Sequence, residues 1–175
     1  NKILEGSDDF SDLKGIIYRS ENGEPVKSPP QQRIDLREHR VFPSFEFFDH
    51  STWPAARLPI PIITGRGCTG KCTFCSPSHR TFIPRLFEDI FAELDILLTR
   101  FHVPTVQFLN EVFFEDDDMT IEFCKEYKRR YNVPFACVLR LDMDPRILEH
   151  LKDAGCFNFN IGVESGSDKI LRTMG

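Results

Sequence analysis

The sequence predicts an α/β protein: about four strand–helix units, the N-terminal part of a barrel-like parallel sheet, preceded by a β-hairpin and an extended linker. From Pro59 to Met174, short apolar runs of strand length alternate with longer stretches of helical periodicity, the pattern of parallel strands joined by helical crossovers. The strand candidates turn polar toward their C-terminal ends, as at the loop-bearing end of a barrel. Residues 1–58 lack this alternation and carry prolines and scattered aromatics instead.

Taken in order, residues 15–19 and 25–27 read as two short strands around a turn containing Gly23. Residues 28–53 hold Pro29 and Pro30 and the aromatics Phe42, Phe45, Phe47, Phe48 and Trp53, and read as an extended linker that lays rings on a neighbouring surface. Residues 59–64 are a buried-type strand, followed by a Gly/Cys loop over 65–78. Leu86, Phe87, Ile90, Phe91, Leu94, Leu97, Leu98 and Phe101 then recur at helical spacing. A second strand spans 106–113, and a second helix 116–131 opens on Asp116, Asp117 and Asp118, where the helix dipole favours acids. A third pair follows at 135–142 and 145–154, stopped by Gly155; a fourth strand covers 157–163 before Ser165, Gly166 and Ser167 open a last helix.

Strand parity places one face toward the helices. Val106 and Phe108, or Phe157, Phe159, Ile161 and Val163, share that face, which leaves Gln107, Glu111, Asn158 and Asn160 on the other. A concave face carrying Glu111, Arg140, Asp142, Asn160 and Glu164 near the strand ends has the layout of a barrel enzyme's active face.

The 175 residues carry 22 Lys+Arg and 27 Asp+Glu, a net charge of −5, so there is no basic stripe to support a nucleic-acid binder. With 41% hydrophobic residues the chain can build a core, which excludes disorder as its main state. No apolar run approaches the roughly 18 residues of a membrane span. The chain begins at Asn1 rather than Met and stops at Gly175 inside a helical pattern, so it reads as a piece of a longer protein, and a signal peptide cannot be judged from it.

The sharpest signal is the C-x3-C-x2-C spacing of Cys68, Cys72 and Cys75 on the loop leaving the first barrel strand. Cysteines so clustered favour metal ligation in a reducing, cytoplasmic compartment over a disulfide framework. Cys124, Cys137 and Cys156 are scattered and read as inert buried thiols. Three adjacent thiolates can hold three corners of a 4Fe-4S cluster and leave one iron open to a substrate, with Gly67 and Gly70 allowing the bends. Two other readings of the same thiols stay open: a zinc site with His79 as fourth ligand, which would make the chain a binding module, and an electron carrier with a fourth cysteine from elsewhere.

The cysteine motif, with Phe74 before its third cysteine, on the first loop of an alternating α/β chain resembles the radical S-adenosylmethionine (radical SAM) superfamily. The stretches 64–68, 110–113 and 162–168 resemble the subgroup whose barrel follows a cobalamin-binding domain, and the hairpin and proline-bearing linker, from about Gly15 onward, resemble the segment joining the two, so that residues 1–58 read as the tail of such a domain. The resemblance implies that Cys68, Cys72 and Cys75 ligate the cluster and that its open iron chelates SAM. It further implies that backbone around Phe74 meets the adenine, that Asn110 and Glu111 bind the methionyl amino group, and that Glu164 and Ser165 serve the ribose and methionyl groups. In place of the family's Gly-Gly-Glu this chain has Leu109, Asn110 and Glu111. Under the same resemblance Arg140 reads as a partner for the SAM carboxylate, since guanidinium and carboxylate pair bidentately. Glu111, Arg140 and Glu164 also read as an ion-pair set filling the top of the barrel.

The implied reaction is reductive cleavage of SAM to a 5′-deoxyadenosyl radical, serving cobalamin-dependent methyl transfer or a rearrangement on a small-molecule or natural-product substrate. The implied partner is a one-electron donor such as flavodoxin or ferredoxin. The competing reaction within the family is methylthio transfer, which needs a second cysteine triad upstream. Other features carry less: the acids 115–118 read as dipole complements, and His39, His50, His102 and His150 fall outside any ligand spacing. Lys71, Arg80 and Arg85 read equally as anion holders or solvated surface.

Overall fold

The computed structural model describes residues 4, 6, 9–32, 34–38, 42–44, 60–76, 80–101 and 103–174. They fall into two compact units, residues 1–34 and 35–175. The linker aromatics Phe45, Phe47, Phe48 and Trp53, and His39, His50, His79 and His102, lie outside the described residues.

In the first unit, β1 (Ile17–Arg19) and β2 (Pro25–Lys27) pair antiparallel, with Ile17 opposite Lys27 and Arg19 opposite Pro25. The pairing continues past the strands because Ser28 is buried and bonds both ways: its Oγ accepts from the Ile16 N–H at 3.0 Å and donates to the Ile16 carbonyl at 3.1 Å. The Gly15 N–H then reaches the Pro29 carbonyl at 2.7 Å.

The second unit is a four-stranded parallel sheet in the order β3 (Ile60–Ile62), β6 (Val106–Phe108), β7 (Phe135–Leu139), β8 (Cys156–Ile161). Helices α1 (Phe87–Arg100), α2 (Asp117–Arg130) and α3 (Ile147–Asp153) cross between successive strands, and α4 (Asp168–Met174) follows β8. A small antiparallel pair, β4 (Gly65–Arg66) with β5 (Ile83–Pro84), sits between β3 and α1. Because β neighbours share a face at paired positions, the register puts Ile62, Phe108, Cys137 and Phe159 on one side and Gln107, Ala136 and Asn158 on the other. Ile62, Phe108, Cys137 and Leu139 are buried on the first side, as the alternation predicts.

An aromatic cluster fills the space between that face and the helices. Phe123 of α2 stacks on Phe91 of α1 at 5.2 Å between centroids and meets Phe108 and Phe113 edge-on, each at 5.4 Å. Helix α2 starts where Asp116 caps it, the carboxylate accepting the Met119 N–H at 2.7 Å.

The structure departs from the sequence reading at the second and fourth strands. The strand expected over 106–113 ends at Phe108: Val112, Phe113 and Phe114 are all buried in succession rather than alternating, and Phe113 and Phe114 pack from a loop into the aromatic cluster. Consecutive apolar residues imitate a doubly buried strand. In β8 the apolar parity is exposed, Phe157 by 62% and Phe159 by 42%. This strand lies at the sheet edge, α4 contributes no buried residue, and the register slips between Phe135 and Ala136 so that Phe157 becomes the extra residue of a bulge.

Cys124 and Cys137 are buried, as inert thiols should be, and burial pushes Cys124 up to about 12. Cys156 is only half-buried, its sulfur 3.9 Å from that of Cys137.

Candidate functional site

The cysteine loop leaves β4 and returns at β5, and its base is closed by pairing of Gly65 with Pro84 and of Arg66 with Ile83. Gly65 is required by close approach: a Cβ there would lie 2.5 Å from Cζ of Phe82 and 2.8 Å from the Ile83 carbonyl oxygen. The Arg85 N–H extends the closure to the Thr64 carbonyl at 2.8 Å. Its guanidinium donates to the Ile63 carbonyl at 2.9 Å and pairs with buried Glu93 of α1 at 2.7 Å. Burial pushes the Glu93 carboxyl upward against the pull of Arg85. Arg85 is thus a strut beneath the loop and not an anion holder.

Within the loop, the Gly70 N–H donates to Sγ of Cys68 at 3.3 Å, and Nη1 of Arg140 lies 3.6 Å from the same sulfur. A Cβ on Gly70 would sit 3.1 Å from each of those two atoms, so the backbone here fits closely between thiol and guanidinium. Cys72 and Cys75 share a turn closed by the Cys75 N–H on the Cys72 carbonyl at 3.2 Å. Arg80 donates to the carbonyls of Gly70 and Cys75 at 2.7 and 2.9 Å. Thr73 ties the loop to the end of α4, its N–H bonding the Met174 carbonyl at 2.8 Å. Phe74 is exposed. The three thiols ride on one loop, but among the described residues no three His, Cys, Asp or Glu side chains converge on a metal position.

The strand ends supply the polar wall. Arg140, one residue past β7, forms a two-point pair with Asp142, Nε to Oδ1 at 2.8 Å and Nη2 to Oδ2. The pairing raises the arginine's pKa and lowers that of the aspartate, each chiefly through this hydrogen bond. Nη1 also lies 3.7 Å from Glu115, whose carboxylate accepts the Thr69 N–H of the cysteine loop. Thr69, Val112, Phe114, Glu115, Arg140 and Asp142 line a polar pocket of about 160 Å³ beside the loop.

Of the other residues the sequence singles out, Glu111 accepts from the Gly67 N–H at 3.4 Å and so touches the start of the cysteine loop. The Asn110 side chain donates to Oγ1 of Thr64 at 3.1 Å and to the Val112 carbonyl, which makes it a brace between the ends of β3 and β6. Glu164 has φ +61°, and its carboxylate folds back over Gly162. The hydroxyl of Ser165 accepts the Ser167 N–H at 3.1 Å. The loop therefore gathers Cys68, Glu111 and Arg140, while the hydrogen bonds at Ser165 stay local to the end of β8. Glu115 escaped the sequence reading as a member of this group. Its position one residue before the capping Asp116, outside the helix, was the available signal.

The Radical SAM superfamily model matches residues 62–175. The chain belongs to the radical SAM superfamily. It is 26% identical over 172 residues to an uncharacterized methyltransferase of Pyrococcus horikoshii, covering 94% of this chain and 38% of that protein. It is 30% identical over 190 residues to a Methanocaldococcus jannaschii protein bearing the name methylthiotransferase, covering 99% of this chain and 39% of that protein. Among solved structures it resembles the cobalamin-dependent S-adenosylmethionine radical enzyme OxsB with aqua-cobalamin and S-adenosylmethionine bound, at a TM-score of 0.79 and 27% identity, over 99% of this chain and 27% of that one. The chain therefore spans about a third of the length of the relatives it matches.

The donor set suits an iron–sulfur cluster. Three thiols fall within one closed loop, a backbone N–H already points at one sulfur, and an arginine balances charge beside it. Gly70 keeps clear the space beside the Cys68 sulfur that a Cβ would crowd at 3.1 Å.

Proposed function

We propose that this chain is the N-terminal part of the barrel of a cobalamin-dependent radical SAM methyltransferase. In this reading residues 59–175 begin the barrel, and residues 1–58 are the tail and linker of a preceding cobalamin-binding domain. The observation that carries it is the closed three-cysteine loop, with its amide and guanidinium on Cys68, inside a chain that belongs to the superfamily. When bound, the cluster supplies the electron that cleaves SAM to methionine and a 5′-deoxyadenosyl radical.

Cys68, Cys72 and Cys75 would hold the cluster as thiolates. Glu111, seated beside the loop's first glycine, takes the methionyl amino group, and Asn110 aims that carboxylate by bracing its backbone. Arg140 takes the methionyl carboxylate, held in orientation by Asp142 and Glu115. Backbone around Phe74 meets the adenine, and Glu164 and Ser165 serve the ribose from the end of β8. The polar wall fixes the cofactor's charged end while the aromatic cluster behind it keeps the wall rigid. The substrate is a small molecule or natural product, the electron comes from a flavodoxin- or ferredoxin-like donor, and the enzyme works in the cytoplasm. No helix among the described residues is long and apolar enough to cross a membrane. Methylthio transfer is the second reading, favoured by the 30% identical relative of that name.

The deciding experiment is anaerobic reconstitution with iron and sulfide, followed by electron paramagnetic resonance with and without SAM. A reduced 4Fe-4S signal that SAM perturbs, absent in Cys72→Ala, supports the reading. Zinc uptake in its place, or a signal blind to SAM, refutes it. Glu111→Ala should keep the cluster and bind SAM more weakly; unchanged SAM affinity removes Glu111 from the site.

A further inference from the structure

Arg80 stands outside the three-cysteine motif, yet its guanidinium holds the loop at two points. Nη1 donates to the Gly70 carbonyl at 2.7 Å and Nη2 to the Cys75 carbonyl at 2.9 Å. The first acceptor lies between Cys68 and Cys72 in the chain, and the second belongs to the third cysteine itself. A guanidinium is a planar fork with fixed donor spacing, so two bonds to two carbonyls set the distance between them, which a flexible point donor such as lysine does not do.

The held carbonyl adjoins an amide that faces a sulfur. Gly70 presents its N–H to Sγ of Cys68 at 3.3 Å, and Nη1 of Arg140 stands 3.1 Å from where its Cβ would be. Arg80 holds the peptide plane on the far side of the Gly70 α-carbon from this amide, which fixes where the chain goes on toward Cys72. Among the described residues, the Cys75 backbone donates to the Cys72 carbonyl and accepts from Arg80.

We propose that Arg80 is a positioning residue for the cysteine loop, setting the spacing of the Cys68–Cys72 segment against Cys75 before iron arrives. This rests on the reading of the three thiols as cluster ligands. Groups that orient metal ligands from behind typically alter metal retention by about tenfold or more when removed. Arg80 is exposed, so its replacement leaves the core untouched.

The test compares wild type with Arg80→Ala, Arg80→Lys and Cys72→Ala. Two quantities are read: amide hydrogen exchange across residues 68–76 in the metal-free chain, and the rate at which a chelator strips iron from the reconstituted chain. Arg80→Ala should exchange and lose iron about tenfold faster with an unchanged melting temperature. Arg80→Lys should not restore either rate. Wild-type rates in Arg80→Ala overturn the proposal; full rescue by lysine overturns the two-point clamp in favour of charge alone; a lowered melting temperature assigns Arg80 to the fold at large. If wild type and Cys72→Ala retain iron alike, the ligand reading fails, and the exchange measurement on the metal-free chain still decides the clamp.

Discussion

Gly65→Ala should unfasten the base of the cysteine loop. The added Cβ would stand 2.5 and 2.8 Å from two carbons of the Phe82 ring and 2.8 Å from the Ile83 carbonyl oxygen. Carbon atoms prefer separations of about 3.5–4.0 Å, so the ring must move by about 1 Å. The carbonyl belongs to the β4–β5 ladder and has no rotamer to change, so the strands must part by about half an ångström. Overpacking of this kind costs about 1–3 kcal/mol. Taken as about 2 kcal/mol acting on local opening, it raises the open population by about thirtyfold. The assay is amide exchange at Arg85, whose N–H bonds the Thr64 carbonyl at the foot of the loop, together with a thermal melt. Exchange at Arg85 should accelerate by about that factor, the melting temperature should fall by about 5 °C, and iron uptake should drop. An alanine variant with wild-type exchange at Arg85 and wild-type iron uptake would show that the β4–β5 pair does not close the loop.

Phe123→Ala removes the ring at the middle of the aromatic cluster and should cost about 3–5 kcal/mol, lowering the melting temperature by about 10 °C; a loss under about 1 kcal/mol would mean the cluster repacks freely. Alkylation of the metal-free chain at pH 8, mapped by mass spectrometry, should label exposed Cys75 and spare Cys124, and labelling of native Cys124 would contradict its burial. Because the folded state holds the Cys124 proton up to about 12 while the unfolded thiol releases it near 9, its share of stability is complete below about 9 and is lost as pH rises toward 12. Melts in that window should fall with pH, and a flat profile would refute the shift.

The pattern of the fold was legible wherever one residue's environment follows from its neighbours in sequence. Alternation at Val106, Gln107 and Phe108, or at Phe135 and Ala136, reports which face meets the helices, and the register agrees. It failed at Val112, Phe113 and Phe114, because a run that is apolar throughout has no period to separate strand from packed loop. It failed again at Phe157, where a bulge resets the parity and the face stays exposed. Of the candidate site, the residues that bear chemistry were visible as types and spacing. Those that hold them in place were not: Phe82 against Gly65, Glu115 on the Thr69 amide, and Arg80 on two carbonyls act across the loop. Contacts of that kind depend on how the chain closes on itself, which no local period encodes.

Glu164 sits in the left-handed region at φ +61°, where a residue with a Cβ is disfavoured by about 1 kcal/mol and glycine is at ease. A selection for stability alone would place glycine there, beside Gly162 and Gly166, and let the turn relax. A screen that scores only thermal survival should therefore enrich Glu164→Gly, while, on the role proposed for this carboxylate, one that scores SAM chemistry should discard it. The two landscapes pull apart at this codon, and a library built on melting temperature would erase a carboxylate from the strand end without warning.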